Sequence, residues 1–267
     1  MYRQRFGLTS HVFPQSACGR TFTPTPSFDK LARRFAMLAE EPGLGVVIGE
    51  AGVGKTSAMR HLCASLPQPS YRVTYICDTA TSPLDFYRQL ATDLGVQPSH
   101  RRSQLWTDLK TTITHLVDEQ DTQPLVVVDE AQHLSERFLL DLAGFLNFAF
   151  DSRSLVVFWL VGQPVLAKRL GLQIHAALSS RIAARVKLEP LSDRGQFAAF
   201  LQAGLEVAGA DANPVSEPAI ELLFRTSKGM PRQAAHLLRE AMIVAHEREQ
   251  SFVDDTAVEA VLEAQDF

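Results

Sequence analysis

The stretch Gly49-Glu50-Ala51-Gly52-Val53-Gly54-Lys55-Thr56 decides the fold of this chain, because it is a complete GxxxxGK[ST] phosphate-binding motif. Glycines in such a loop let backbone N–H groups turn towards phosphate oxygens, and the helix that follows adds its partial positive charge. Residues 43–48 form an apolar run that predicts a buried strand, and residues 55–66 predict a helix. A strand, this loop and a helix in that order distinguish the motif from a chance glycine-rich turn.

The phosphate loop, residues 49–56, predicts a nucleoside triphosphate site with a magnesium ion. Lys55 would reach the β- and γ-phosphates, and the Thr56 hydroxyl would ligate Mg²⁺. The other contacts would come from the loop backbone and the first helical turn. The nucleotide-binding residues predicted here are Gly49, Glu50, Ala51, Gly52, Val53, Gly54, Lys55, Thr56 and Ser57.

A second motif, Leu125-Val126-Val127-Val128-Asp129-Glu130, places two acids at the end of another buried strand. Asp129 would hold the Mg²⁺ ion through its hydration shell. Glu130 would polarise the attacking water. At least one strand, residues 71–77, separates the two motifs in sequence, which indicates a P-loop fold with an added central strand and a catalytic Glu.

The run Asp129-Glu130-Ala131-Gln132 also raises the possibility of a helicase. A Ser-Ala-Thr helicase motif and a second recombinase-like core are both missing from the sequence that follows. Gln132 and His133 are therefore interpreted as ordinary residues of the turn into the next helix.

Three further polar positions are predicted to act on the nucleotide. Gln163 follows the next buried strand, where it would contact the γ-phosphate or the attacking water, or else only cap a helix. Arg181, with Arg185 as second choice, would stabilise developing charge on the nucleotide of a neighbouring subunit, and a surface salt bridge is the alternative for both. Arg232, which follows Pro231 in the first turn of a helix, would touch the nucleotide from there.

The pattern of elements predicts an α/β core followed by a helical subdomain. Strands alternate with helices as far as Pro190, which indicates right-handed crossovers and a parallel sheet flanked by helices. Beyond Pro190 the sequence predicts helices alone. The strands are expected at residues 43–48, 71–77, 125–129, 155–161 and 185–188. The predicted domains are an N-terminal strap of residues 1–28, a P-loop core of residues 29–190 and a small all-α lid of residues 191–267.

Composition excludes several classes of protein. The chain has 267 residues, 46% of them hydrophobic, so it is not a disordered chain. The formal net charge of −4 excludes a wholly basic nucleic-acid coat, although not a local basic patch. Cys18, Cys63 and Cys77 lack CxxC spacing, which argues against a disulfide framework or a zinc module and fits a reducing cytoplasm. No apolar run approaches the roughly 20 residues of a membrane helix.

Together these features resemble the AAA+ ATPases, over essentially the whole chain. The resemblance implies that the cofactors are ATP and Mg²⁺ and that ATP is hydrolysed to ADP and phosphate. It also implies that Gln163 and Arg232 are nucleotide sensors and that the Arg181 region supplies a trans-acting arginine. Motifs similar to the ExeA-like branch are Tyr2 with Phe6-Gly7-Leu8 and Phe13-Pro14, Asp129-Glu130-Ala131-Gln132-His133-Leu134, Val161-Gly162-Gln163-Pro164, and Gly229-Met230-Pro231-Arg232.

Two groups share this core, and chain length is expected to separate them. Secretion ATPases of the branch carry a membrane span and a peptidoglycan-binding domain after the core, whereas this sequence ends at Phe267. Transposition regulators of the TnsC, TniB and MuB type are short and bind DNA as ATP-dependent oligomers that recruit a transposase. The resemblance therefore favours a cytoplasmic homo-oligomer, a ring or a helical filament with six or more subunits per turn. This oligomer would bind duplex DNA with little sequence preference and would have a transposase as partner. The alternatives are a secretion or envelope-assembly ATPase with a protein partner and a signalling NTPase switch.

Candidate DNA contacts lie on the core, after the second strand. Arg101 and Arg102 precede a predicted helix that carries Lys110, at a position similar to the DNA-facing side of the transposition ATPases. Positive side chains there would meet phosphates and give affinity without sequence information. Arg33 and Arg34 form an alternative patch, and a solvated charged face is the other interpretation of both.

Overall fold

The computed structural model describes residues 2–13, 25–77 and 82–265. Within them one parallel sheet has the strand order β2-β3-β4-β1-β5. The predicted central parallel sheet with flanking helices is therefore confirmed. The strands are β1 (Leu44–Ile48), β2 (Tyr71–Ile76), β3 (Gln123–Val128), β4 (Val157–Gly162) and β5 (Ile182–Lys187).

The inner strands β1, β3 and β4 are almost entirely buried, because their apolar side chains are covered on both faces of the sheet. The edge strands β2 and β5 alternate between exposed and buried side chains. Ile48 lies opposite Gly162, and Val128 lies opposite Leu160. The carboxyl ends of β1, β3 and β4 therefore meet at one edge of the sheet, where ligands of open α/β sheets usually bind.

Helices flank the sheet, and the elements that follow β5 in the described residues are helices, as the sequence predicts. Side-chain oxygens of Ser82, Ser135, Asp193 and Ser216 accept backbone N–H groups at four helix starts. The helices are α1 (Tyr2–Arg5), α2 (Pro26–Glu40), α3 (Lys55–Ala64), α4 (Pro83–Asp93), α5 (Arg102–Asp118), α6 (Glu136–Phe145), α7 (Pro164–Leu170), α8 (Ala176–Ser179), α9 (Arg194–Ala208), α10 (Glu217–Ser227), α11 (Pro231–Glu247) and α12 (Asp255–Gln265). Short 3₁₀ turns cover Ala131–His133, Ala149–Asp151 and Gln173–His175.

The chain divides into two compact units. The sheet unit comprises residues 27–50 and 62–188 and has its own apolar core. Elsewhere in the sheet unit, Trp159 is fully buried and stacks on Phe35, with ring centroids 5.9 Å apart. Gly45 makes room for this ring, since a Cβ at residue 45 would lie 2.4 Å from Trp159 Cε3.

The helical unit comprises residues 189–267, residues 51–61 and the first 26 residues, as far as these are described. Its core collects apolar side chains of α9 to α12 together with Phe6 and Leu8. The N-terminal segment adds a backbone link, because the Thr9 N–H donates to the Ala208 carbonyl over 2.8 Å. Phe13 stacks on Phe200 of α9, with ring centroids 4.4 Å apart. The N-terminal residues thus form part of the helical unit.

Two predicted boundaries differ from the structure. The sequence also predicts a helix from Ser135 to about Phe150, but α6 ends at Phe145. The chain cannot extend this helix to Phe150, because Phe148 is extended and residues 149–151 have φ between 47° and 65°. This left-handed backbone is unfavourable for residues with a Cβ and cannot continue a right-handed helix. The last strand begins at Ile182, three residues before the predicted start. The predicted N-terminal strap of residues 1–28 contains the helix-breaking residues Pro14, Gly19 and Pro24, which lie outside the described residues. In the part of the chain that is described, no helix combines the length and apolarity needed to cross a membrane.

Candidate functional site

The phosphate loop has the backbone that a triphosphate site needs. Gly52 and Gly54 have φ of 85° and 101°, values that residues with a Cβ rarely adopt. A Cβ built on Gly54 would meet nothing within 4 Å, so the space beside the start of α3 is open. Lys55 is the first residue of α3 and is 6% exposed. Open space, glycine backbone and a helix N-terminus together fit a bound triphosphate.

Arg232 lies against this loop. Its backbone N–H donates to the Gly52 carbonyl over 3.2 Å. A Cβ on Gly52 would lie 2.9 Å from Arg232 Cβ, so Gly52 is required both for its φ and for the close approach of α11. The structure thus brings together the phosphate loop and the predicted sensor on the first turn of α11.

The start of the loop is attached to the end of β4. The Gly49 N–H donates to the Gly162 carbonyl over 3.2 Å, which continues the pairing of β1 with β4 by one residue. Gln163 follows directly, at the residue before α7. Its side chain caps no backbone group of α7, so the simple capping interpretation of Gln163 is not supported.

Asp129 lies at the carboxyl end of β3, where it is 3% exposed and accepts hydrogen bonds on both carboxylate oxygens. Its Oδ2 accepts the Tyr75 hydroxyl over 3.0 Å, and its Oδ1 accepts the Glu130 N–H over 2.8 Å. A carboxylate with fixed oxygens fits a hard cation such as Mg²⁺. Tyr75 is not among the site residues predicted from the sequence. It lies on β2, and its hydroxyl is the polar end of an otherwise apolar aromatic side chain.

Glu130 turns the chain sharply after β3. Its φ and ψ are 50° and 35°, a left-handed conformation that is unusual for a residue with a side chain. Its Oε2 accepts the Gln132 side-chain Nε2–H over 2.5 Å. The Gln132 Oε1 in turn accepts the Gln163 N–H over 3.0 Å. One amide side chain therefore joins the predicted base to the predicted sensor.

The interpretation of Gln132 as an ordinary turn residue is incomplete. Gln132 does lie in the 3₁₀ turn that leads to α6, but its side chain is buried and is bonded at both ends. The residue type could have indicated this role. A glutamine two residues after a carboxylate offers that carboxylate a donor group and keeps an acceptor group for another partner.

Both candidate trans-acting arginines have partners within their own chain. Arg181 forms an ion pair with Asp151, beside the left-handed residues after α6. Arg185 donates to the Ser179 carbonyl over 3.0 Å. The salt-bridge alternative is thus present for Arg181 in the isolated subunit, and any action on a neighbour would require Asp151 to release it.

The candidate DNA contacts do not form one open patch. Arg102 pairs with Asp141 at 2.9 Å and lies over the Trp106 ring. Lys110 donates to the Asn147 carbonyl over 2.6 Å, and burial lowers the pKa of its ammonium group. Arg101 is exposed, and so are Arg33 and Arg34 on α2.

Known proteins match both the sequence and the fold. The AAA domain family model matches residues 38–170. General secretion pathway protein A of Aeromonas hydrophila is 29% identical over 259 residues, which are 93% of this chain and 45% of that protein. The chain thus spans less than half of this relative's length.

Two solved structures share the fold. The Aeropyrum pernix ORC2 protein, in ADPNP-ADP complexes, has a TM-score of 0.73 and 19% identity, with 97% of this chain and 72% of that chain covered. The Aeropyrum pernix ORC1 protein, in complex with DNA, has a TM-score of 0.69 and 17% identity, with 91% of this chain and 66% of that chain covered. AAA+ domains are in general nucleotide hydrolases. This chain therefore contains an AAA-type ATPase domain with the AAA+ P-loop fold, and it is similar to general secretion pathway protein A.

Proposed function

We propose that this chain is a Mg²⁺-dependent ATPase that assembles with its own copies on duplex DNA when ATP is bound, recruits or activates a transposase, and disassembles on hydrolysis. The observation that carries the nucleotide part is the contact between Arg232 and Gly52. A helix that is bonded to the phosphate loop responds to what the loop binds. Nucleotide state can then change the surface that the helical unit offers to a partner.

Each site residue has a distinct task in this proposal. The loop backbone, Lys55 and Thr56 would bind the phosphates and the metal, and Asp129 would be a further metal ligand. Bound Mg²⁺-ATP supplies the scissile phosphoanhydride and the charge that activates it. Glu130 would accept the proton of the attacking water, and Gln163 would orient that water.

Assembly would complete the site. Arg181 of one subunit would stabilise charge on the nucleotide of the next, so that hydrolysis depends on neighbours. For this role the Asp151 carboxylate would have to release the Arg181 guanidinium, with which it pairs in the isolated subunit. Arg185, which donates to a backbone carbonyl, is the weaker candidate.

The proposal of DNA binding is supported by a structural neighbour and by the repetition of weak contacts in an oligomer. The Aeropyrum pernix ORC1 protein, which shares the fold, is in complex with DNA. A monomer of net charge −4 would bind a polyanion poorly, but an oligomer would repeat an exposed basic patch along the duplex. Arg101 and Arg102 are both exposed, although Arg102 is paired with Asp141, and Arg33 and Arg34 form a second exposed patch. The resemblance to transposition regulators points to a transposase as the protein partner.

The test is a DNA-binding titration with ADP, ATP and a non-hydrolysable analogue at two salt concentrations, together with ATP turnover with and without DNA. We expect binding only with ATP or the analogue, a steep loss of affinity with salt, and little sequence preference. Lys55→Ala should lose nucleotide binding, since the loop loses its charged phosphate ligand. Glu130→Gln should bind ATP normally and hydrolyse it about 10²–10⁴-fold more slowly. If the ATP-loaded protein has no DNA affinity at low salt, the transposition proposal fails.

A second candidate function is an ATPase of secretion or envelope assembly, because general secretion pathway protein A matches 93% of this chain. In that case ATP turnover would be independent of DNA and would respond to a protein of the cell envelope. The same turnover assay distinguishes the two functions, since only the transposition regulator is expected to respond to duplex DNA.

A further inference from the structure

We infer that Gln132 is a positioning residue that fixes the direction of the Glu130 carboxylate and couples it to the position of Gln163; this inference rests on the proposed role of Glu130 as base. The Gln132 amide donates to Glu130 Oε2 over 2.5 Å and accepts the Gln163 N–H over 3.0 Å. The side chain is only 9% exposed, so water competes weakly for these bonds.

The backbone of Gln132 is held independently of its side chain. The Arg169 guanidinium donates to the carbonyls of Gln132 and Leu134, both over 2.8 Å. It also pairs with Glu136 at 3.1 Å, and the hydrogen bond from Arg169 lowers the pKa of that carboxyl. The buried His175 ring contacts the same Glu136, with 2.5 Å between Nε2 and Oε1. These contacts hold the turn in place, so the Gln132 amide extends from a fixed backbone.

Gly162 provides the space for this amide. A Cβ on Gly162 would lie 2.7 Å from Gln132 Oε1 and 3.3 Å from the Gln132 backbone N. The φ of Gly162 is not in the left-handed region, so this glycine is required for space and not for backbone conformation. Since Gly162 also accepts the Gly49 N–H, it lies between the start of the phosphate loop and the amide.

Only a side chain with a donor and an acceptor can make both bonds of Gln132. Met has nearly the same length but neither strong group, and Glu keeps the acceptor while it loses the donor. Without the donor, the Glu130 carboxylate would lose one of the bonds that fix its direction and would occupy that direction for less of the time. A misplacement of about 1 Å in a reacting group costs about 10²-fold in rate, so the loss should fall on turnover and not on nucleotide binding.

The first experiment compares steady-state ATP hydrolysis of the full chain and its variants. Gln132→Met should lower kcat about 10- to 100-fold and change KM for ATP less than twofold. Gly162→Ala should have the same effect, because its Cβ displaces the amide without altering it. The matched controls are His133→Ala, in the same turn but exposed, and Gly171→Ala, where an added Cβ meets only ordinary 3.4 Å contacts. Both controls should keep the wild-type kcat.

A double variant tests whether Gln132 acts through Glu130. If it does, Glu130→Gln with Gln132→Met should hydrolyse ATP no more slowly than Glu130→Gln alone. A further loss equal to that of Gln132→Met by itself would overturn the inference, because Gln132 would then act independently. An unchanged kcat in both Gln132→Met and Gly162→Ala would also overturn it.

Thermal melting gives a readout that does not depend on catalysis. Gln132→Glu places two carboxylates in contact and should lower the melting temperature by about 3–6 °C. Adding Glu130→Gln restores a donor to the pair and should recover most of that loss. If the two changes alter the melting temperature additively, the contact between residues 130 and 132 contributes nothing to stability and the inference fails. If Glu130→Gln instead hydrolyses ATP like the wild type while melting shows coupling, the proposed role of Glu130 is what fails.

Discussion

Replacing Phe13 by Ala should loosen the N-terminal segment from the helical unit. The Phe13 ring is half-buried and stacks on Phe200 at an interplanar angle of 16°. It also fills the place left by Gly204, where a Cβ would come within 2.2 Å of the ring. Half of the roughly 3 kcal/mol of a fully buried Phe, plus about 0.5 kcal/mol for the ring pair, gives about 2 kcal/mol. For a chain of this size that corresponds to about 4–8 °C in melting temperature.

Calorimetry and limited trypsin digestion measure this effect together. Phe13→Ala should lower the melting transition and speed cleavage after Arg5, because the segment detaches. Gly204→Ala should act in the same way by displacing the ring. Phe252→Ala is the control, since Phe252 belongs to the same unit but is 50% exposed. A Phe13→Ala protein that melts within about 1 °C of the wild type and resists trypsin equally would refute the argument.

Two other predictions concern interfaces and thiols. Arg181→Ala should bind ATP but lose turnover. Mixing it with Glu130→Gln should restore part of the activity, because one variant still has the Glu130 carboxylate and the other still has the Arg181 guanidinium. Asp151→Asn, which frees Arg181, should raise turnover per subunit in the assembled protein; turnover that is independent of protein concentration, with no restoration on mixing, would mean that each subunit has a complete site. Cys77 is exposed, whereas burial raises the pKa of Cys63 to about 11, so at pH 8 iodoacetamide should modify Cys77 far faster than Cys63. Peptide mapping by mass spectrometry measures both rates, and equal rates would contradict the burial of Cys63.

The inner strands could be predicted from the sequence, because a buried strand of a parallel sheet consists of a continuous run of apolar residues. The edge strand β5 was harder, since Ile182–Lys187 alternates exposed and buried residues and contains two charged side chains. The strand order could not be predicted from these runs. It depends on which apolar faces pack together, as in the insertion of β1 between β4 and β5.

Residues of contiguous motifs were also predictable, since their spacing alone specifies a loop or a strand end. Tyr75 and Asp129 are 54 positions apart, and Gln132 and Gln163 are 31 apart. Such pairs are created by the parallel alignment of β2, β3 and β4 and leave no local pattern. The same holds for the ion pair of Arg181, whose partner Asp151 depends on the left-handed turn after α6.

The hydrogen bond from Arg232 to Gly52 sets a limit on how the protein can be divided. The AAA domain match covers residues 38–170, yet the group that supports the loop at Gly52 lies on α11. A fragment cut to residues 27–188 would contain the matched domain, the whole GxxxxGK[ST] motif and all five strands, and it would lose this neighbour. Such a fragment should bind nucleotide less tightly than the full chain, and adding residues 189–265 as a separate piece should restore part of that affinity. We therefore expect the smallest nucleotide-binding unit to extend beyond the matched domain as far as α11.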